Sequence, residues 1–404
     1  MASLKLLYLA IATLLLAYYL YIPLPDSIEE GWKVRLIDAT FRTFGHAAGL
    51  AELLGLKHYM EVLMLMTSAE YCAPISDENV TVTDTTFNNV PVRVYLPRQE
   101  SRVLRRAVIY FHGGGWCVGS AAMKPYDLLS RMTSGRLNAV VISADYRLAP
   151  HVHFPTQFED VYTVVKFFLQ KEVLAQYAVD PERIGVSGDS AGGNLAAAVA
   201  QQLQDDHEIT VQLKIQALLY PALQSIDMDT PSYRENAYMP LLKKRLMVTF
   251  WSEYFTTDKS LNDAMSTNTH ITLESSHLIK FANWSMLLPK EFKKDHVYRK
   301  PQHGTSHFVN KFPGILDPRA APLLADDDKL RNLPRSYLVT CMHDVLRDDG
   351  VMYAARLKKA GVHIVHDHYD DAFHGALFFT EWPLNLSIGH RMVNRYIDWL
   401  DENL

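Results

Sequence analysis

Arg183-Ile184-Gly185-Val186-Ser187-Gly188-Asp189-Ser190-Ala191-Gly192-Gly193-Asn194-Leu195-Ala196-Ala197-Ala198-Val199-Ala200 is the stretch that decides the fold. A short apolar run leads into a glycine-flanked serine and out into an alanine-rich segment, which reads as strand, sharp turn, helix. The two glycines remove Cβ where a tight elbow would clash, and the strained turn projects the Ser190 hydroxyl out of the sheet. Behind it, the start of the helix offers unpaired N–H groups and a partial positive charge. The pentapeptide Gly188–Gly192 alone also suits plain packing of a strand on a helix, so the rest of the chain must decide its use.

Upstream, Ala107-Val108-Ile109-Tyr110-Phe111 reads as a buried strand and ends in His112-Gly113-Gly114-Gly115-Trp116. Three successive glycines leave backbone amides free to face a ligand. Attack by Ser190 on a carbonyl creates an oxyanion, and amides already aimed at that point stabilise it by roughly 3–4 kcal/mol per donor. Gly113, Gly114 and Ala191 are the candidate donors. No Gly-Lys-Ser/Thr follows and no Gly-x-Gly-x-x-Gly opens a helix here, which argues against a phosphate or dinucleotide loop. His112 reads as a residue that fixes the loop.

A hydroxyl needs a histidine to take its proton and a carboxylate to hold that histidine in the right tautomer. Ser336–Cys341 reads as a strand, and Asp344 lies just past its end, where functional side chains of open α/β sheets collect. Asp348 and Asp349 precede Gly350–Leu357 and are explained by helix capping. The next strand, Val362–Tyr369, runs into Asp370-Asp371-Ala372-Phe373-His374-Gly375, so His374 is the expected base and Asp344 its partner. His343 precedes the acid rather than following it. His363, His366 and His368 are spread along a strand pattern without a His-Glu-x-x-His helix, and they read as exposed strand residues, not metal ligands.

The 404 residues and 48% hydrophobic content suit one large core, and a net charge of −5 without basic runs argues against nucleic acid. Residues 26–72 are helix-prone, with Val34, Ile37, Phe41, Phe44 and Ala48 at three-and-four spacing. Asn79 to Leu96 looks like a hairpin turning at Asn88-Asn89. Strand and helix patterns alternate from Val108 to Leu219. From Tyr220-Pro221 to about Asp317 that rhythm gives way to helical stretches such as Leu241–Trp251. The expected architecture is α/β, a mostly parallel central sheet with helices on both faces and a helical cap from about 26–72 and 222–316. No metal site and no cofactor is expected.

After Lys5, positions Leu6 to Ile22 carry no charge and would span roughly 26 Å as a helix, close to a thin bilayer. Residues 1–22 are therefore expected to form one uncleaved transmembrane helix, with residues 23–404 as the catalytic domain. Small residues that would mark signal cleavage, Ala10 and Ala12, come too early in the run. Asn79, Asn283 and Asn385 begin glycosylation acceptor triplets. Cys117 follows the glycine loop and Cys341 precedes Asp344, so both are expected at one edge of the sheet. A bridge and two buried thiols are both open there.

The stretches His112–Ser120, Asp145-Tyr146-Arg147-Leu148-Ala149-Pro150, Gly188–Asn194, Asp344–Gly350 and Phe373-His374-Gly375 resemble the hormone-sensitive-lipase branch of the α/β-hydrolases, and more closely the arylacetamide deacetylase subfamily. The likeness covers essentially the whole chain, from Tyr18 to Leu404. The resemblance implies the α/β-hydrolase fold and a triad falling on Ser190, Asp344 and His374. It implies a lipophilic small-molecule ester or amide substrate: short-acyl esters and arylacetamides, xenobiotic and extending to glycerolipids. It also implies a Cys117–Cys341 bridge with Cys72 unpaired, and a lumenal catalytic body on a single-pass, type II protein of the endoplasmic-reticulum membrane. His151 stands where many lipase-branch relatives carry glutamate, outside the triad. A hydrolase of cholesteryl or ether-lipid acyl esters is the alternative substrate reading. A non-catalytic ligand-binding module is a third, opposed by the filled triad and glycine loop.

Overall fold

The computed structural model describes residues 2–299, 301, 304 and 307–404. Eight strands form one sheet in the order β1-β2-β4-β3-β5-β6-β7-β8. These are β1 (Val80–Phe87), β2 (Val90–Pro97), β3 (Arg105–Phe111), β4 (Val140–Ala144), β5 (Val179–Asp189), β6 (Ile215–Leu219), β7 (Arg335–His343) and β8 (Ile364–Phe373). The β1–β2 and β2–β4 pairs are antiparallel and every other neighbouring pair is parallel. The first pair closes through Asn88 and Asn89, both with positive φ (48° and 69°), the backbone a two-residue hairpin turn demands.

Side chains alternate across the sheet, so its two faces bury two separate apolar clusters. On one face Ala107, Ile109 and Phe111 of β3 pack with the helices α5 (Thr156–Phe168) and α7 (Ala191–Leu203) and with the helix Arg347–Lys359. On the other, Val108 and Tyr110 pack with α4 (Lys124–Leu137) and the C-terminal helix Ser387–Asn403. The short helix α6 (Lys171–Gln176) lies between α5 and β5 in the chain. Fully burying a side chain such as Leu195 or Leu400 contributes about 1.5–3 kcal/mol.

The N-terminal part supplies α1 (Ala2–Leu20), α2 (Gly31–Leu53) and α3 (Tyr59–Ser68). Between β6 and β7 the chain forms α8 (Pro231–Glu235), α9 (Lys244–Phe255) and further short helices. Of the expected cap range 222–316, residues 300, 302, 303, 305 and 306 lie outside the described residues, as does Met1 of the expected anchor.

The transmembrane expectation for 1–22 is not met: among the described residues, no helix is long and apolar enough to cross a membrane. The helix stops at Leu20, ahead of Pro23, so only Leu6 to Leu20 of the uncharged run is helical. That stretch is about 22 Å long, well short of a hydrocarbon core of about 30 Å. Within it, Tyr8, Thr13, Tyr18 and Tyr19 dilute the apolar character. Its C-terminal end is tied to α2, where the Arg42 guanidinium donates to the Tyr19 carbonyl (2.7 Å) and the Tyr19 and Thr43 hydroxyls meet at 2.9 Å.

Candidate active site

Ser190 stands between the last residue of β5 and the first of α7 with φ 53° and ψ −117°, a backbone that L-residues adopt only under constraint. The flanking glycines are sterically required. A Cβ on Gly192 would lie 2.0 Å from the Phe111 carbonyl oxygen, and one on Gly188 would lie 2.4 Å from the Gly192 backbone. The Ser190 N–H donates to the Leu219 carbonyl at 2.9 Å, which locks the elbow to the neighbouring strand.

β5, β6, β7 and β8 are successive parallel neighbours, so residues just past the ends of β5, β7 and β8 arrive at one edge of the sheet. There His374 Nε2 lies 2.9 Å from Ser190 Oγ, and His374 Nδ1 lies 2.7 Å from Asp344 Oδ2. A carboxylate only accepts, so Nδ1 carries the proton and the Nε2 lone pair faces the serine hydroxyl, which donates. Asp344 is fully buried, and its other oxygen accepts from the Leu346 N–H at 2.8 Å. Asn236, from the segment inserted between β6 and β7, donates to the carbonyls of Met342 (3.0 Å) and Asp344 (2.9 Å), which holds the acid's loop. The Tyr220 ring stands edge-on to the His374 imidazole at 4.9 Å.

The glycine loop differs from expectation at one position. Gly113 does not offer its amide to the cavity: that N–H donates to Asp189 Oδ1 (3.0 Å) and to the Tyr126 hydroxyl (2.9 Å). Among the described residues, the amides of Gly114, Gly115 and Ala191 have no acceptor, whereas that of Gly113 is taken. Positive φ at Gly114 (101°) and Gly115 (61°) turns the loop, and a Cβ on Gly114 would lie 2.0 Å from the Val118 carbonyl oxygen. His112 supports the loop from beneath, stacked on Tyr146 at 4.3 Å and donating from Nδ1 to the Gly113 carbonyl at 2.7 Å. Burial holds its pKa below the ordinary histidine value.

Other expectations are corrected by burial. Asp348 and Asp349 do not cap the helix Arg347–Lys359, whose N-terminus has no side-chain cap; both are fully buried. Asp349 accepts from the backbone N–H groups of Leu223 and Gln224, and Asp348 from that of Ser232, tying the inserted segment to the helix Arg347–Lys359. His366 and His368 are not exposed strand residues; both meet the Thr340 hydroxyl at 2.8 Å. The Cys117–Cys341 bridge is not formed. All three cysteines are free, and Cys117 and Cys341 belong to the clusters on opposite faces of the sheet. Of the three acceptor asparagines, Asn79 is exposed, Asn283 is part-buried and caps a short helix through Ser285, and Asn385 is part-buried.

Above the triad lies a cavity of about 1010 Å³. Its floor is Gly114, Gly115, Ser190 and His374, and its walls include Phe41 and Phe44 of α2, Leu63 and Met66 of α3, and Leu246 and Phe250 of α9. Phe250 leaves Gly115 no room for a side chain, since a Cβ there would lie 2.2 Å from the ring. Trp116 stacks on Tyr254 at 4.2 Å, so α9 packs directly on the glycine loop.

A family model described as alpha/beta hydrolase fold matches residues 108–282 and 280–378. The chain is 58% identical to arylacetamide deacetylase of Bos taurus, covering 96% of this chain and 97% of that one. It is 47% identical to neutral cholesterol ester hydrolase 1 of Bos taurus, over 96% of this chain and 97% of that relative. Among solved structures, a hyperthermophilic esterase from the archaeon Pyrobaculum calidifontis superposes with a TM-score of 0.62 at 27% identity, covering 93% and 98% of the two chains. The chain belongs to the α/β-hydrolase family. Within it, the chain falls with the arylacetamide deacetylases on the hormone-sensitive-lipase branch, and its class is carboxylic ester hydrolase.

Proposed function

We propose that the protein is a serine esterase and amidase that removes short acyl groups from lipophilic esters and arylacetamides. The observation that carries this is the continuous hydrogen-bonded line from Asp344 through His374 to Ser190. Ser190 Oγ adds to the acyl carbonyl while His374 Nε2 takes its proton. The oxyanion is received by the amides of Gly114, Gly115 and Ala191. His374 then returns the proton to the departing alcohol or amine, leaving an acyl group on Ser190. Water, activated by the same nitrogen, releases the acid. Asp344 stays ionised and holds the imidazole in its tautomer. An amine leaves only as a protonated group, so amides depend on that second transfer more than esters do.

Identity is higher to the arylacetamide deacetylase than to the cholesterol ester hydrolase, which favours short-acyl substrates over cholesteryl or ether-lipid esters. The mostly apolar cavity walls favour lipophilic molecules. Labelling by a fluorophosphonate, lost in Ser190→Ala, tests the nucleophile. Turnover on a short aryl acetate, an acetanilide and a cholesteryl ester tests the substrate class, with the first two expected to dominate. A preference for the cholesteryl ester contradicts the reading.

We also place the protein at the endoplasmic-reticulum membrane with its catalytic body on the lumenal side. Exposed Leu6, Leu9, Leu14 and Leu15 along α1 support contact with a lipid surface. The exposed acceptor Asn79 supports the lumenal side. A mass shift on glycosidase treatment, lost in Asn79→Gln, is expected; an unmodified Asn79 in cells contradicts it.

A further inference from the structure

Asp189, the residue before the serine, is a buried acid that the reaction above does not use. It is 3% exposed. Its Oδ1 accepts from the Gly113 N–H at 3.0 Å and from the Tyr110 hydroxyl at 2.9 Å, and its Oδ2 accepts from the Tyr126 hydroxyl at 3.3 Å. Tyr126 also accepts from the Gly113 N–H, so the three side chains and that amide form one closed polar cluster beneath the glycine loop. The approach is as close as a chain permits: a Cβ on Gly113 would lie 2.3 Å from Asp189 Oδ2. Burial pushes the Asp189 carboxyl up to about 7, opposed by the hydrogen bonds it accepts from the Tyr110 hydroxyl, the Gly113 amide and the Tyr126 hydroxyl. Three donors aimed at one group suit its ionised, accept-only form.

This cluster joins two pieces of the site that are far apart in sequence. Asp189 is covalently attached to the nucleophile, and Gly113 to the first of the cavity-facing amides. We propose that Asp189 is a positioning residue for the reaction assigned to Ser190: its carboxylate pins the Gly113 amide and thereby fixes the Gly114 and Gly115 amides relative to the serine oxygen. The proposal rests on the serine reading of the preceding subsection. Oxyanion donors act only when held near their working geometry, and a shift of about 1 Å costs on the order of a hundredfold in rate. The link also explains why the first glycine of the loop turns its amide away from the cavity: it is the anchor, and the next two residues are the donors.

The test uses the full chain with Asp189→Asn, which keeps the side chain's size but replaces one accepting oxygen with a donor. Active sites are counted by fluorophosphonate labelling. Turnover of an aryl acetate is then measured beside the affinity for a trifluoromethyl ketone, which becomes a tetrahedral oxyanion on the serine. The expected result is a fall in kcat per labelled site of about 10- to 100-fold with KM within about twofold, and a matching loss of ketone affinity. A role confined to stability lowers the number of labelled sites and leaves their kcat and ketone affinity at wild-type values, which overturns the proposal. Tyr126→Phe removes one donor to Asp189 and the second acceptor of Gly113. It is expected to show the same pattern at about 3- to 10-fold, and it carries the test if the Asn variant does not fold; unchanged kcat there overturns the proposal equally. Label that persists in Ser190→Ala contradicts the serine reading itself, so the two failures are distinguishable.

Discussion

The two walls of the cavity are built on different terms. The sheet wall carries Ser190, Asp344 and His374 on residues that directly follow strands, with backbone clashes of 2.0–2.4 Å awaiting any side chain at Gly188 or Gly192. The cap wall of α2, α3 and α9 presents Phe41 and Phe44, each more than a third exposed, and the half-satisfied acid Glu253. Position on the first wall is dictated by the backbone, whereas position on the second depends on side chains packed over open space. The chemistry is therefore rigidly specified and the choice of substrate is open to adjustment.

The comparison is sharpened first by the largest effect, on the sheet wall. Asp344→Asn keeps the shape but permits the wrong imidazole tautomer, and kcat for an aryl acetate is expected to fall by about 10⁴-fold with little change in KM. A loss below about tenfold would place the acid elsewhere. Next, Gly192→Ala forces a methyl group against the Phe111 and His112 carbonyls, at 2.0 and 2.6 Å. Its unfolding free energy in a denaturant titration is expected to drop by about 3 kcal/mol or more. Tolerance of alanine there would show the elbow to be looser than described.

On the cap wall, burial raises the Glu253 carboxyl to about 7, helped by the neighbouring charge of Glu52 and opposed by Lys259. Its folded pKa exceeds its unfolded value, so between about pH 4.5 and 7 the folded state binds the extra proton and stability falls as pH rises. Glu253→Gln removes that slope, and its melting temperature relative to wild type should climb across this window. The gain by pH 7.5 is expected to reach about 1 kcal/mol, discounted for residual solvent contact. A parallel pH dependence in both proteins counts against a buried, strained Glu253. Smallest is Phe44→Ala, expected to raise KM about 3- to 10-fold for lipophilic esters and leave kcat unchanged. A fall in kcat instead would mean that the cap wall takes part in the chemistry.

The same contrast governs what could be read from the sequence. The meeting of Ser190, Asp344 and His374 at one edge of the sheet was legible because each follows a strand, and a short apolar run ending in polar residues marks that place in the chain. The Asn88-Asn89 hairpin was legible because few residue types accept two positive φ angles. Gly113 was misassigned because the direction of an amide depends on its acceptor, and Asp189 lies 76 residues further along the chain. Its only signal was an ionisable residue inside Gly-x-Ser-x-Gly. Asp348 and Asp349 looked like caps because nothing in a local pattern shows that the inserted segment folds back onto them. Cys117 and Cys341 share an edge in the linear reading, yet β7 turns Cys341 to one face and the loop turns Cys117 to the other. The end of α1 was missed because the uncharged run continues two residues past the helix, to Ile22.

The central claim is that the hydroxyl at the elbow becomes acylated, and the most direct measurement is rapid acid quench of the protein with an aryl acetate, followed by peptide mass analysis. The account predicts an acetyl group on the peptide containing Ser190, formed before steady-state turnover and absent in Ser190→Ala. Turnover without any acetylated peptide, or an acetyl group on another residue that forms and decays at the turnover rate, would contradict it.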